Sequence, residues 1–331
     1  MILVSGGSGL VGAHLLLQLC ELGERPRALY RSLESLSNVK QLFSSHSNSG
    51  NQYFKQIEWV KGDLLDVPSL EEAFKGVSQV YHCAALISFN PRDYHSLYKT
   101  NVIGTANMVN AALFFGASKF CYISSIASLG KETPGKEITE ETSWNIDQPN
   151  VYAQSKYLAE LEVWRAAQEG LPTVIINPGV ILGPGIWQQG SGKLFAFAKK
   201  GKSFYFPGGS GFVAVKDVTK LMHLAMKSPL KNERFICVAE NISYQKLFKY
   251  MAQGFGHKEA QYSLPFWLLA VLWRLDFLKY SLLGGGRKIT KQTVEGLRQR
   301  DYYNHDKSKK QLEMTYNNIA SVVAGLVGTY K

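Results

Sequence analysis

Met1-Ile2-Leu3-Val4-Ser5-Gly6-Gly7-Ser8-Gly9-Leu10-Val11-Gly12 open the chain. In this segment an apolar, β-branched run is followed by closely spaced glycines and then by more apolar residues. The glycines fit Gly-x-x-Gly-x-x-Gly counted from Gly6, and also Gly-x-Gly-x-x-Gly counted from Gly7. Such a turn needs unusual backbone angles and a close approach to a pyrophosphate, and the helix behind it offers free N–H groups to the phosphates. At the first strand-to-helix turn, the pattern predicts a dinucleotide site. The loop residues expected to hold the dinucleotide are Gly6, Ser8, Gly9, Leu10, Val11 and Gly12.

Short β-branched runs alternate with longer amphipathic segments through the rest of the front half. Strands are predicted at residues 2–5, 27–30, 57–61, 79–82, 120–124, 173–177 and 236–239, and helices at 9–22, 69–74, 98–115 and 151–168. This alternation is typical of βαβ units. It predicts an α/β fold, a doubly wound parallel sheet of the Rossmann type with a smaller, mostly helical C-terminal substrate domain. The small and polar residues 44–52 predict a mobile loop.

The rhythm of the sequence changes near residue 180, where Gly/Pro-rich loops replace the regular alternation. We therefore expect residues 1–180, joined by roughly 212–240, to form the dinucleotide-binding domain. Residues 181–211 and 241–331 are expected to form the substrate-binding portion.

Composition excludes several classes of protein. The 331 residues are 45% hydrophobic and 19% charged, which is a globular composition. The four cysteines are far apart and the seven histidines show no ligand spacing, so we expect neither a disulfide framework nor a metal site. The early glycine loop leaves no room for a signal peptide, and no apolar run reaches the roughly 20 residues that span a bilayer. These features predict a reduced, cytoplasmic protein.

The net charge of +11 is unevenly distributed. Residues 1–180 carry 14 Lys and Arg against 17 Asp and Glu, or −3, whereas residues 181–331 carry 23 against 9, or +14. A basic back half suits an anionic membrane surface, an acidic substrate or simply a solvated face. Nucleic acid is not an expected partner, because no recognised binding motif accompanies the charge.

The end of the second predicted strand bears on which dinucleotide is bound. An acidic residue there would hold a ribose 2′-hydroxyl and indicate NAD(H). The run 28–32 contains no carboxylate, and Arg31 could pair with a 2′-phosphate instead. NADP(H) is therefore favoured, with NAD(H) and an ordinary surface arginine as the alternative. Other residues expected at the cofactor are Asp63, Leu64, Ala84 and Ala85. For Asp63 the alternative is a helix N-cap, for which Asp66 is the better candidate.

Tyr152-Ala153-Gln154-Ser155-Lys156 places Tyr and Lys one turn apart on one face of a predicted helix. Hydride transfer at a carbinol carbon requires a proton to move at its oxygen. The tyrosine pKa of about 10 is too high for efficient acid–base work, and a neighbouring ammonium lowers it. A serine hydroxyl can polarise the same oxygen. A second such pair, Tyr303 and Lys307, lies in a charged stretch that we interpret as solvated.

With these motifs the chain resembles the extended short-chain dehydrogenase/reductase family over about residues 1–240. The matching residues are Gly6/Gly9/Gly12, Gly62-Asp63, His82-x-Ala84-Ala85, Asn101-Val102-x-Gly104-Thr105, Ser124-Ser125, Tyr152/Lys156 and Asn177-Pro178-Gly179. Residues 201–218 are similar to the dihydroflavonol 4-reductase and 3β-hydroxysteroid dehydrogenase branch.

The resemblance implies roles for several of these residues. Tyr152 would be the acid–base group, Lys156 would lower its pKa and hold the nicotinamide ribose, and Ser125 would align the substrate oxygen. Ser125 is chosen over Ser124 because it lies five residues before Gly130, as in related sugar epimerases. Asn101, Ser124 and Pro178 would contact the cofactor, although a hydrogen bond at a helix start is the alternative for Asn101. Family members often dimerise through the helices at 98–115 and 151–168, so a homodimer is expected.

The residues after the predicted site suggest an apolar or amphipathic substrate. Phe89, Ile186 and Trp187 are candidates to line the cleft, with plain packing as the alternative for each. Residues 264–273, LPFWLLAVLW, are ten uninterrupted apolar residues. One interpretation is a helix that is buried or lids the cleft. The other is a helix at a membrane interface beside basic groups, which would make the protein peripheral.

Three functions are consistent with these features. The first is an NADPH-dependent carbonyl reductase or secondary-alcohol dehydrogenase that acts on a bulky, apolar molecule. The second is a nucleotide-sugar epimerase or dehydratase with tightly bound NAD, which uses the same Ser/Tyr/Lys set. The third is a non-catalytic, dinucleotide-sensing protein on the same fold.

Overall fold

A computed structural model of the chain describes residues 1–46, 49–133, 135–145, 150–185, 187, 190–283, 287 and 290–330. Its strands are β1 (Ile2–Ser5), β2 (Arg27–Tyr30), β3 (Glu58–Lys61), β4 (Gln79–His82), β5 (Lys119–Ile123), β6 (Thr173–Pro178), β7 (Val180–Leu182), β8 (Phe204–Tyr205), β9 (Gly209–Ala214), β10 (Glu233–Cys237), β11 (Glu240–Ser243) and β12 (Tyr262–Ser263).

The helices surround these strands. They are α1 (Leu10–Glu21), α2 (Glu34–His46), α3 (Gly50–Gln56), α4 (Val67–Phe74), α5 (Tyr94–Leu97), α6 (Gly104–Phe114), α7 (Val151–Gln168), α8 (Gly192–Ala198), α9 (Val215–Lys227), α10 (Tyr244–Phe255), α11 (Phe266–Leu283), α12 (Lys291–Arg298), α13 (Asp306–Leu312) and α14 (Ile319–Thr329). A π-helical turn at Tyr98–Ile103 connects α5 to α6, and short 3₁₀ turns occur at Pro91–Asp93 and Ile126–Ser128.

Seven parallel strands form the central sheet in the order β3-β2-β1-β4-β5-β6-β10. The strand order reverses between β1 and β4, and ligands of open α/β sheets bind in the crevice at such a point. The predicted fold class, a doubly wound parallel sheet, is therefore confirmed. The small sheets β7-β9-β11 and β8-β12 lie in the second half of the chain, where helices predominate.

Both faces of the central sheet are buried, as parallel sheets require. Neighbouring residues of β1 point to opposite faces: Val4 packs in a core cluster with residues of α1 and α9, whereas Leu3 packs with residues of α4, α6 and α7. A third cluster joins α10 and α14 to β9 and β11. The sheet thus carries α7 on one side and the glycine loop at its carboxyl edge.

The loop predicted for residues 44–52 is wrong over the residues that the structure describes. Helix α2 continues to His46 and α3 begins at Gly50, while residues 47–48 lie outside the described part. The polar composition is accommodated because the serine side chains bond locally, as in the donation from Ser44 Oγ to the Lys40 carbonyl (2.8 Å). The preceding turns bury Val39 and Phe43, which hold α2 in place.

The last predicted strand, 236–239, is displaced. The observed β10 begins three residues earlier, at Glu233, and ends at Cys237. The strand begins with two charged residues, Glu233 and Arg234, which are not typical of a buried strand. Both are paired across the fold, since Glu233 meets Lys307 (2.7 Å) and Arg234 meets Glu160 (3.4 Å).

Candidate active site

The glycine loop packs so closely against the end of β4 that two of its positions exclude any side chain. Gly6 has a left-handed φ of +68°, and a Cβ there would stand 2.5 Å from the backbone nitrogen of Ala84. A Cβ at Gly12 would stand 2.2 Å from the carbonyl oxygen of Gly6. Only glycine therefore lets α1 lie this close to the loop.

The N-terminus of α1 fits the phosphates of a dinucleotide. Gly9 is its N-cap residue, no side chain forms a capping bond, and the first turn carries no acidic residue. Helix N–H groups in this arrangement attract anions. Ser8 and Leu10 also line a groove shared with Val39 of α2 and with Pro184. The predicted loop residues thus meet at one helix terminus.

The carboxyl end of β2 lies next to this loop, because β2 pairs in parallel with β1. Arg31 follows β2 directly and is exposed to solvent. The first acidic residue after the strand is Glu34, which already belongs to α2. The segment between β2 and α2 therefore carries the cation Arg31 and no carboxylate. In dinucleotide-binding folds this segment is the one that meets the adenosine ribose.

Asp63 and Leu64 follow β3 and are partly buried. One carboxylate oxygen of Asp63 accepts a hydrogen bond from the N–H of Leu65 (2.9 Å), and the Leu64 carbonyl accepts one from Asn107 Nδ2 (2.8 Å). Asp66 occupies the N-cap position of α4, although its side chain forms no capping bond. Asp63 therefore stabilises its own turn, and the contact of either residue with adenine stays a prediction.

His82 joins three elements beneath the crevice, a role that the sequence analysis missed. Its ring nitrogens bond with Ser5 Oγ (2.6 Å) in β1 and Thr105 Oγ1 (3.0 Å) in α6. Burial lowers the pKa of His82 to about 3, so the ring is neutral. In the sequence, the signal for this role of His82 was a single histidine at the end of an apolar strand. Ala84 and Ala85 follow it at the carboxyl edge.

Asn101 is committed to contacts within the protein. It lies in the π-helical turn, is 1% exposed, accepts a hydrogen bond from the N–H of Leu86 (2.7 Å) and donates to the Leu86 carbonyl (3.0 Å). It also donates to Ser155 Oγ on α7 (3.0 Å). Asn101 therefore holds the loop after β4 against α7, and its contact with the cofactor stays a prediction.

Helix α7 presents Tyr152 at its first turn. Asn150 caps the helix, with its Oδ1 accepting hydrogen bonds from the N–H of Tyr152 (3.1 Å) and of the next residue (3.2 Å). The Tyr152 hydroxyl lies beside the Ser125 side chain. Its ring packs edge-on against Phe89, with the ring centroids 5.5 Å apart. The structure thus brings together two predicted catalytic residues and one candidate substrate-lining residue.

Burial controls the proton on Tyr152. It raises the pKa of Tyr152 to about 12, although the neighbouring Ser125 side chain lowers this pKa in part. The hydroxyl therefore keeps its proton at neutral pH. A protonated hydroxyl can donate to a substrate oxygen, which is the requirement for a general acid.

Lys156 lies one turn further along α7 and is 1% exposed. Its Nζ donates to the Tyr122 hydroxyl (2.6 Å) and to the Ile123 carbonyl (2.8 Å). Burial lowers the pKa of Lys156 to about 7, while the nearby Glu160 carboxylate raises it. The effect of Lys156 on the pKa of Tyr152 stays a prediction.

Ser124 points away from Tyr152 into a buried polar network. Its Oγ lies 3.1 Å from that of Ser128, which also bonds to the carboxylate of Glu160. Asn177 Nδ2 donates to Glu160 (2.6 Å), and the Arg234 guanidinium lies 3.4 Å from it. Ser125, not Ser124, is therefore the serine beside Tyr152, and its alignment of a substrate oxygen stays a prediction. A contact between Ser124 and the cofactor stays a prediction.

The remaining candidates occupy different surroundings. Pro178 is buried at the end of β6. Trp187 packs edge-on against Phe195 (5.4 Å) and Tyr330 (4.7 Å) in the third core cluster, which is the plain packing alternative. Ile186 lies outside the described residues. Within the described residues, no group of three or more His, Cys, Asp or Glu could hold a metal ion.

The interpretation of Tyr303 as solvated is wrong. Its side chain is 7% exposed and packs against Ile236 and Val238. Its backbone N–H donates to Asn241 Oδ1 in β11 (3.0 Å). Contacts with residues distant in sequence therefore bury Tyr303, although the neighbouring sequence is charged.

Comparison with known proteins identifies relatives of the whole chain. The model of the NAD dependent epimerase/dehydratase family matches residues 2–237. A Synechocystis sp. protein named for dihydroflavonol 4-reductase is 30% identical over 98% of this chain and 92% of its own. A decarboxylating sterol-4-alpha-carboxylate 3-dehydrogenase of Dictyostelium discoideum is 25% identical over 84% of this chain and 86% of its own.

Solved structures are similar over nearly the whole chain. The crystal structure of gox2253 has a TM-score of 0.81 at 29% identity, and the match covers 99% of this chain and 97% of that one. UDP-glucose 4-epimerase of Thermotoga maritima, solved with UDP-glucose, has a TM-score of 0.76 at 20% identity, with coverage of 99% and 97%. The second likeness is one of fold alone.

The close packing of the glycine loop predicts the effect of Gly12→Ala. Because the added Cβ meets the Gly6 carbonyl oxygen, we expect the free energy of unfolding in urea to fall by about 1–3 kcal/mol and dinucleotide binding to weaken. Gly325→Ala is the control, since its Cβ would enter open space on the exposed face of α14 and stabilise the protein by up to about 1 kcal/mol. Equal stability of the two variants would contradict the packing argument.

Proposed function

Because the chain belongs to the NAD dependent epimerase/dehydratase family, we propose that this oxidoreductase is an NADPH-dependent carbonyl reductase, or secondary-alcohol dehydrogenase, for a bulky apolar molecule. One observation carries the proposal. The protonated Tyr152 hydroxyl lies beside Ser125, and the Tyr152 ring packs edge-on against the ring of Phe89. A proton donor and an apolar surface therefore meet at one position.

Tyr152 and Ser125 would carry the proton chemistry. Ser125 positions the substrate carbonyl oxygen beside Tyr152. Tyr152 donates its proton to that oxygen as the carbon–oxygen double bond becomes a single bond. When bound, NADPH supplies the hydride. Tyr152 begins in its protonated form, but its raised pKa makes the phenolate unfavourable, so proton donation needs a cation nearby.

Lys156 would support both the proton donor and the cofactor. Its ammonium would stabilise the phenolate that Tyr152 becomes after donation, and would bond with the nicotinamide ribose. Glu160, one turn along α7, favours the charged form of Lys156 and is itself held by Arg234. We therefore assign Glu160 a positioning role rather than contact with the substrate.

The preference for NADP(H) rests on Arg31. It is exposed at the carboxyl end of β2, beside the glycine loop, and no carboxylate precedes α2. A guanidinium can pair with the 2′-phosphate that distinguishes NADP from NAD. The epimerase or dehydratase alternative, which retains NAD tightly, shares the Ser/Tyr/Lys set but lacks this support.

An apolar substrate is supported by the edge of the crevice and by the relatives. Ile87 is 60% exposed and Phe89 is 39% exposed, both in the loop after β4. Water-exposed apolar side chains beside a catalytic group suit an apolar ligand. The names of two relatives, a sterol dehydrogenase and a flavonoid reductase, point to ring compounds of this kind.

We also propose the division into a dinucleotide-binding part and a substrate-binding part. It is consistent with α9 packing on the central sheet and with β10 forming the edge strand of that sheet. A homodimer is supported by exposed apolar side chains on the helices that we expect to pair: Ile103 (39%), Phe114 (81%) and Leu161 (43%). We also propose peripheral membrane contact through residues 264–273.

Tyr152→Phe tests the proton donor. We expect kcat for reduction of an aryl or cyclic ketone with NADPH to fall by about 10²- to 10⁴-fold, because the hydroxyl proton is lost, with cofactor binding retained. Tyr157→Phe on the same helix is the matched control, since its ring stacks on Trp144 away from the site. Unchanged turnover in Tyr152→Phe would remove Tyr152 from the mechanism.

Arg31→Ala tests the cofactor preference. Fluorescence titration should show that the unmodified protein binds NADPH at least tenfold more tightly than NADH, a difference of about 1.4 kcal/mol. The variant should lose this difference by binding NADPH more weakly while NADH affinity is unchanged. Arg25→Ala, at an exposed position before β2, is the control. A preference for NADPH that survives in Arg31→Ala would contradict the assignment.

A further inference from the structure

Helix α11 carries an apolar stripe on its solvent side. An ordinary surface helix has polar residues on that side. Here every third or fourth residue along the exposed face is large and apolar. These residues, which we call the α11 stripe, are Trp267 (67% exposed), Val271 (42%), Leu275 (56%), Leu278 (54%) and Leu282 (74%). On the opposite side Leu269 is 3% exposed, so the helix is packed on the protein and leaves the stripe uncovered.

The exposed charges of α11 are positive. Arg274 and Lys279 are exposed, whereas Asp276 is partly buried and lies 3.9 Å from Arg287. Arg298 of the neighbouring α12 also stacks on Phe266 at 4.8 Å. Residues 181–331 as a whole carry 23 Lys and Arg against 9 Asp and Glu. An apolar stripe flanked by cations complements an anionic lipid surface, whose headgroups attract cations and whose acyl boundary accepts apolar groups.

Helix α11 is attached to the rest of the protein near both ends, and at one of them to the loop beside the site. Before it begins, the N–H of Leu264 donates to the Tyr205 carbonyl (2.8 Å). Near its other end, the Tyr280 hydroxyl accepts a hydrogen bond from Arg92 Nη1 (2.7 Å). Arg92 lies three residues after Phe89, whose ring packs on Tyr152. The stripe is therefore connected through one short loop to the proposed proton donor.

We propose that α11 docks the protein on an anionic lipid bilayer, with the α11 stripe lying in the boundary between headgroups and acyl chains. No helix of the described residues is long and apolar enough to cross a membrane, so α11 lies along the surface. Docking would place the loop of Phe89 and Arg92 near the membrane and shorten the path of an apolar substrate to Tyr152. This last consequence rests on the proposed function, whereas the docking does not.

Flotation of the full chain with vesicles tests the docking. We expect binding to vesicles of phosphatidylcholine with phosphatidylserine, weaker binding to phosphatidylcholine alone, and a loss of binding as salt is raised. Leu275→Asp should weaken binding at least tenfold, because it places a carboxylate in the stripe. Leu22→Asp is the matched control, since Leu22 is also an exposed leucine (54%) but lies after α1, outside the stripe. Arg274→Glu with Lys279→Glu should weaken binding to the anionic vesicles only.

The docking would be overturned by binding to neither vesicle, or by equal binding of Leu275→Asp and the unmodified protein. A change in the oligomeric mass of Leu275→Asp without vesicles would also overturn it, because a second copy would then cover the stripe in the unmodified protein. Reduction of an aryl or cyclic ketone by NADPH, as used to test Tyr152→Phe, is measured in the same protein samples without vesicles. Leu275→Asp should keep that activity. If neither the unmodified protein nor any variant reduces the ketone, but binding to anionic vesicles still depends on Leu275, the proposed function fails and the docking stands.

Discussion

The close approach of the glycine loop to the end of β4 is the constraint on which the site depends. With a side chain at Gly6 the loop could not lie against Ala84, and with one at Gly12 the helix α1 could not lie against the Gly6 carbonyl. The position of the loop is reinforced by His82, which bonds to β1 and α6 from within β4. These contacts bring together the N-terminus of α1, the end of β2 with Arg31, and the loop that carries Phe89.

Burial acts in opposite directions on the pKa values of Tyr152 and Lys156, both on α7. It raises the pKa of Tyr152 to about 12 and lowers that of Lys156 to about 7, because low polarity disfavours the charged form of each. Tyr152 is thereby kept protonated but made a weaker acid, while Lys156 needs support for its charge. Glu160, held by Arg234 from the edge strand β10, supplies that support. The edge of the sheet thus contributes to the site through the buried network.

Local sequence predicted the elements whose signals are themselves local. Helix α7 has the predicted bounds, because Asn150 caps it and its apolar face is regular, and β1, β2 and β4 have their predicted limits. Two of the errors arose where distant residues decide the outcome. Tyr303 is buried by β10 and β11, and β10 tolerates charges because Lys307 and Glu160 pair with them. The network around Glu160 could not be foreseen for the same reason.

The central claim is that this crevice transfers a hydride to a carbonyl whose oxygen is protonated by the protein. The most direct test is a single turnover: purified protein loaded with NADPH is mixed with a bulky apolar ketone, and reduced-nicotinamide fluorescence and alcohol are followed together. We predict that fluorescence is lost and that alcohol forms in equal amount. Persistent fluorescence with every ketone tried, or NAD that co-purifies and does not exchange, would contradict the account and favour the epimerase alternative.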